Sequence, residues 1–154
     1  MSAPIRLRGD TGQVAGIEVL PFGILIFVIG TLIATNAWGV IDAKIASGAA
    51  AREAARAYVE APDQSTAMWR ATLAARDTIQ GYGRDPDKAT VSVSHEGNQS
   101  WRRCLRVTVT VRYPVHTISL PGFGGYGDGL EVRAAHGELI DPYRAGLPAE
   151  GGCA

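Results

Sequence analysis

The chain has 154 residues, equal numbers of acidic and basic side chains and a formal net charge of zero. Thirteen of the 15 basic residues are arginines dispersed along the chain, which excludes the clustered basic surface that nucleic acid requires. The only two cysteines, Cys104 and Cys153, match no metal-binding spacing.

Residues 1–18 form a polar, partly basic leader in which Pro4, Gly9 and Gly12 discourage regular structure. Val19 to Ile41 then runs for 23 residues without Asp, Glu, Lys or Arg. A helix of that length rises about 35 Å, enough to cross a hydrocarbon core of about 30 Å. Its apolar residues fall on every face, whereas the core helix of a soluble domain carries a polar stripe. Trp38 near its end suits a headgroup region. A removable secretory signal would be shorter and would end in an Ala-x-Ala site, which is missing before Trp38. The expectation is a single transmembrane helix over 19–41. The Lys and Arg counts on its two sides do not decide its orientation.

Glu18 lies at the edge of this run, where a carboxylate is either paired and functional or reaches headgroup water. Pro21 is placed to mark the first turns or to kink them. Gly23, Gly30 and Gly39 offer close approach to another helix. Asn36 is the one amide in the run; it bonds a partner helix or lies in the interface.

Asp42 to Glu60 is rich in alanine, the best helix former, and continues the same helix to roughly 70 Å counted from Val14. Ala61-Pro62 ends it. A second helix is expected over 65–80, capped by Asp63 or Ser65, with Met68, Thr72, Ala75 and Ile79 toward the core and Trp69 and Leu73 beside them. Gly81 and Gly83 stop it.

Strands are expected within 90–140. Thr90 to His95 alternates, Glu96 to Ser100 is a polar turn, and Cys104 to Tyr113 alternates again. In that strand Leu105, Val107, Val109, Val111 and Tyr113 share one face, and Cys104, Arg106, Thr108, Thr110 and Arg112 the other. Pro114 is expected to end or bulge it, with a short strand at 116–120 and a further one over 130–138. The fold class is therefore α+β: a long N-terminal transmembrane helix continuing into a small domain, 42–154, with a second helix and an antiparallel sheet of three to four strands.

No constellation points to catalysis. The glycine-rich loop at 121–129 has no Lys and leads into a strand, so it is no phosphate cradle; Phe123 and Tyr126 are candidate surface contacts there. His95, His116 and His136 have no metal-ligand spacing, and no carboxylate pair is placed for acid–base work. The expectation is a non-enzyme without cofactor or metal. Cys104 and Cys153 pair if the domain lies outside the cytoplasm and otherwise stay free thiols.

The segment Gly16-Ile-Glu-Val-Leu-Pro-Phe-Gly23, followed by Ala43 to Ala57 with Arg52-Glu-Ala-Ala-Arg56, resembles the TadE-like proteins of tight-adherence (Tad) pili, relatives of type IVb pilins. The resemblance covers residues 9–60; the later domain matches in element order and in its late cysteine. It implies a pilin-like fold, a cytoplasmic N-terminus, an extracytoplasmic C-terminal domain and a minor pilin or pseudopilin role in pilus assembly or secretion. The implied partners are membrane lipid, other TadE-like or pilin subunits, the assembly platform and a prepilin peptidase. Processed relatives are cut after a Gly five residues before the Glu. Here that position is Gln13, and Gly12 is one residue further out, so Gly12–Gln13 is the candidate bond. Glu18 matches the family Glu, which engages a neighbouring subunit, and Pro21 and Asn36 join it as candidate subunit contacts. The alternative is a single-pass, membrane-anchored binding module that captures a ligand through its sheet or glycine-rich loop. A third reading, a secreted enzyme released by signal cleavage, requires a mature terminus beyond Asp42.

Overall fold

The computed structural model describes residues 19–116, 118, 129–147 and 153. The chain divides into two compact units, 1–36 and 37–154. Helix α1 (Val19–Val59) contributes to both; α2 (Gln64–Gly81) and strands β1 (Thr90–His95), β2 (Arg106–Val115) and β3 (Leu130–Leu139) belong to the second. Short 3-10 turns occupy Pro86–Lys88 and Glu96–Asn98. The fold is α+β: a long apolar N-terminal helix, a second helix and a three-stranded antiparallel sheet in the order β1-β2-β3.

In the first unit, the described residues of α1 expose Leu20, Phe22, Ile24, Ile26, Phe27 and Ile33. In the second unit the same helix changes character. Ala43, Ala46, Ser47, Ala50, Ala51, Ala54, Ala55 and Tyr58 are buried. Small side chains on this face let neighbouring elements approach the helix backbone. Ser47 Oγ is buried without a hydrogen-bond partner among the described residues, so Ser47 serves this seam by its size.

Helix α2 starts as capping rules predict. Asp63 is extended, and its carboxylate accepts the Thr66 N–H at 2.9 Å. Hydrogen bonds from the Ser65 hydroxyl and the Thr66 N–H hold the Asp63 carboxyl below its ordinary range. The buried face matches the expected one at Ala75 and Ile79 and differs from it in the first half of the helix. Ala67, Ala71, Ala75 and Ile79 line the core at four-residue steps, whereas Met68, Trp69 and Leu73 are exposed. Alanines on α1 and α2 belong to one buried core cluster, so small side chains fill this part of the interior.

The central strand buries Val107, Val109, Val111, Tyr113 and Val115, extending the predicted alternation. Val91 and Val93 of β1 oppose Val111 and Val109, and Ala134 and Val132 of β3 oppose Val111 and Tyr113. Directly opposed residues share a face, so all of these side chains meet the helical alanines in one core. Burial of each of the fully buried valines, Val107, Val109 and Val111, contributes about 1.5–3 kcal/mol.

Three strand boundaries differ from expectation. Pro114 neither ends nor bulges β2; it pairs with Glu131 inside the strand. The last β1 partner is Thr90 opposite Arg112, so beyond it β2 is an edge, where a missing N–H is tolerated. Cys104 lies in a turn ahead of β2, with φ of 61°, rather than in the strand. Of the strand expected at 116–120, His116 and Ile118 are not in a strand, and the other residues lie outside the described set. At the start of β3, Gly129 has φ of 93°, and a Cβ there would stand 2.9 Å from the Val115 carbonyl oxygen. Only glycine meets both conditions.

Candidate functional site

Among the described residues one helix, α1, is long and apolar enough to cross a membrane, and none of its apolar window is buried within the protein. Its polar residues satisfy themselves along the helix. Thr31 Oγ1 donates to the Phe27 carbonyl at 2.8 Å, Thr35 Oγ1 donates to the Thr31 carbonyl, and Asn36 Nδ2 donates to the Leu32 carbonyl at 2.9 Å. Such i to i−4 bonds pair the hydroxyls and the amide within the helix, without need of water. Asn36 is half-buried, and Pro21 is exposed in the first described turn of α1. Glu18, Gly12, Gln13, Phe123 and Tyr126 lie outside the described residues.

Sequence reasoning missed the cluster that ties α1 to the end of α2. Arg84 follows α2 and its guanidinium reaches back to Asp42, with Nη2 2.7 Å and Nε 3.1 Å from Oδ2. Nη2 also donates to the Gly39 carbonyl at 3.1 Å, and the guanidinium stands 5.4 Å from the Tyr113 ring centroid. The first carboxylate after the apolar run is thus matched by a cation held on an aromatic face. Lys44 Nζ donates to the Arg133 carbonyl of β3. The available signal was Asp42 at the end of the run, but its partner lies 42 residues away in sequence.

A second cluster sits where α1 ends. The Tyr58 hydroxyl lies 2.9 Å from His95 Nε2, and the Tyr58 and Trp101 rings meet edge to face at 5.4 Å. His95 Nδ1 is 3.0 Å from the Gln99 carbonyl, which can only accept, so Nδ1 carries hydrogen. In the neutral ring Nε2 then accepts from Tyr58. Burial pushes the Tyr58 phenol up from its ordinary value. The folded state therefore holds this proton more tightly than the unfolded chain. Stability is undiminished below about pH 10 and falls as pH rises through the raised folded value. Denaturant midpoints at pH 8 and 11 are expected to differ less for Tyr58→Phe than for the unaltered chain. An equal fall in both would refute this.

Cys104 and Cys153 form a disulfide, with their Cα atoms 5.3 Å apart. Arg103, next to the bridge, donates to the Arg144 carbonyl at 2.7 Å, and the Arg144 guanidinium donates to the Val59 and Ala61 carbonyls. The late segment thereby supplies donors to carbonyls that the end of α1 leaves open. His136 faces Glu138 at 3.9 Å, and no three metal-binding side chains gather among the described residues.

Compared with known proteins, the chain matches no family model, no curated protein and no solved structure.

Proposed function

We propose that the chain is a TadE-like, pilin-related subunit, held in the cell membrane by its first helix and acting in Tad pilus assembly or secretion through helix packing. The reading places residues 1–18 in the cytoplasm and the folded unit outside it. It assigns no catalytic role. The observation that carries it is the division of labour along α1. Residues 19–36 expose apolar side chains all round, while residues 43–55 bury small ones in the core that an antiparallel sheet shares. A helix built this way suits both lipid and close packing against protein. The Cys104–Cys153 bridge supports the orientation, because disulfides persist in oxidising compartments.

In this reading Glu18 engages a neighbouring subunit at the membrane edge, with Pro21 and Asn36 near the same helix contacts. Glu18→Ala in the full chain is expected to abolish most assembly or secretion while the disulfide and the near-UV signal of the folded unit stay unchanged. Normal piliation in that variant counts against the proposal. Mass spectrometry of the mature chain reads the N-terminus directly. A new terminus at Gln13 supports prepilin processing, whereas one beyond Asp42 contradicts the membrane anchor.

A further inference from the structure

The apolar surface of α1 does not stop where the second unit begins. Within that unit Trp38, Ile41 and Ile45 are 72%, 55% and 54% exposed. The same end of the unit gathers parts of three other elements. The Val115 side chain lies 3.9 Å from where a Cβ on Gly39 would stand. Leu130 is the cross-strand partner of Val115, so the two side chains share a face, yet Leu130 is 41% exposed. Tyr82, which caps α2 two residues before Arg84, is 46% exposed. The charged groups of this end are paired although partly exposed, and Glu131, beside Leu130, stands 4.0 Å from Arg112. Asp42 is held by Arg84, Arg84 also serves the Gly39 carbonyl and the Tyr113 ring, and Lys44 serves the Arg133 carbonyl.

We infer that this end of the folded unit is a lipid-contact rim, in which Trp38, Ile41, Tyr82 and Leu130 enter the headgroup layer and the unit rests on the membrane. The inference rests on the membrane reading of α1 given above. Continuity selects lipid as the occupant. Ala37 follows directly in sequence on the exposed apolar segment, and the exposed apolar side chains of Trp38 and Ile41 continue it along α1. The side chains suit that depth. Trp and Tyr carry an apolar body and a polar tip, and such rings concentrate at membrane–water interfaces. The Arg84 guanidinium neutralises the half-exposed Asp42 carboxylate at a place where an unpaired one is costly. Lys44 has a long stem that reaches a polar partner from the same region.

Helix α2 supplies an internal control. It leaves the far end of α1 near Ala61 and returns to it at Asp42, so it runs antiparallel beside α1. Trp69 is exposed on α2 but about 20 Å from Tyr82 along its axis. The full chain is reconstituted in phosphatidylcholine–phosphatidylglycerol vesicles carrying bromine on the upper acyl carbons, which quenches tryptophan on contact. Four reporters are compared: native Trp38 in Trp69→Phe, native Trp69 in Trp38→Phe, and Tyr82→Trp or Leu130→Trp in the chain carrying both Phe substitutions. Trp101 is retained in all as a buried constant. Retention of the Cys104–Cys153 bridge and of the near-UV signal identifies the folded variants, and Tyr82→Trp and Leu130→Trp report independently of each other. Positions 38, 82 and 130 are expected to lose most of their emission, and position 69 to keep it. Quenching at 38 without quenching at either 82 or 130 overturns the rim and leaves the anchor standing. An unquenched Trp38 overturns the membrane reading and the rim with it.

Discussion

Cys153→Ser is expected to lower the stability of the folded unit by about 4 kcal/mol, the largest single effect anticipated here for a side chain outside the apolar helix. The bridge spans a sequence separation of 49. In the chain-entropy account, closing a loop of that size restricts the unfolded chain by about this amount. A small domain has only about 5–15 kcal/mol in total, so the change removes a large share of the margin. The local consequence is equally specific. Cys104 neighbours Arg103, whose guanidinium holds the Arg144 backbone, and Arg144 in turn donates to the Val59 and Ala61 carbonyls. Loss of the bridge is expected to raise amide exchange first where α1 ends. Urea unfolding under oxidising and reducing conditions measures the global effect. Coincident transitions in the two conditions would rule it out.

The second large effect concerns the apolar part of α1. Ile29 and Ile33 lie in the middle of the run and are 46% and 62% exposed. Converting both to Asp is expected to disfavour bilayer insertion by roughly 6–8 kcal/mol, from the per-residue cost of a central carboxylate added to the lost preference of two isoleucines. The double variant should float poorly with vesicles and be released by carbonate. The single variant at either position should show about half the free-energy effect. The folded unit buries neither residue, so its disulfide and near-UV signal should be retained. Membrane association of the double variant equal to that of the unaltered chain would mean that lipid is not the solvent for this helix.

Some of this architecture is legible residue by residue. The alternation of Val107, Val109, Val111 and Tyr113 with Arg106, Thr108 and Arg112 predicts a half-buried strand, and β2 buries one face throughout. Asp63 ahead of a helical pattern predicts the cap that α2 has. The face of α2 is harder. Ala75 and Ile79 are buried as expected, but Met68, Trp69 and Leu73, the most apolar choice by composition, stay exposed and the core takes Ala67 and Ala71. Hydrophobicity ranks side chains by transfer to an apolar medium, whereas a narrow gap between packed elements selects them by volume. The charged cluster is harder still. Arg84 and Asp42 are unremarkable in sequence, and only the return of α2 alongside α1 brings them within 2.7 Å.

The amino-acid order alone determined most of the elements and the uniform apolar character of the first one. An uncharged apolar run long enough to cross a membrane, an alanine-rich continuation and period-two strands are local properties, set by backbone geometry and transfer free energy within one segment. The partners were decided by tertiary structure: which face of α2 is buried, that Arg84 neutralises Asp42, that Tyr58 meets His95, that Cys104 reaches Cys153, and that Trp38, Tyr82 and Leu130 share one end. These pairings join residues distant along the chain. Their energies depend on separations of a few ångströms that no local pattern encodes, and they arise only when the whole core closes.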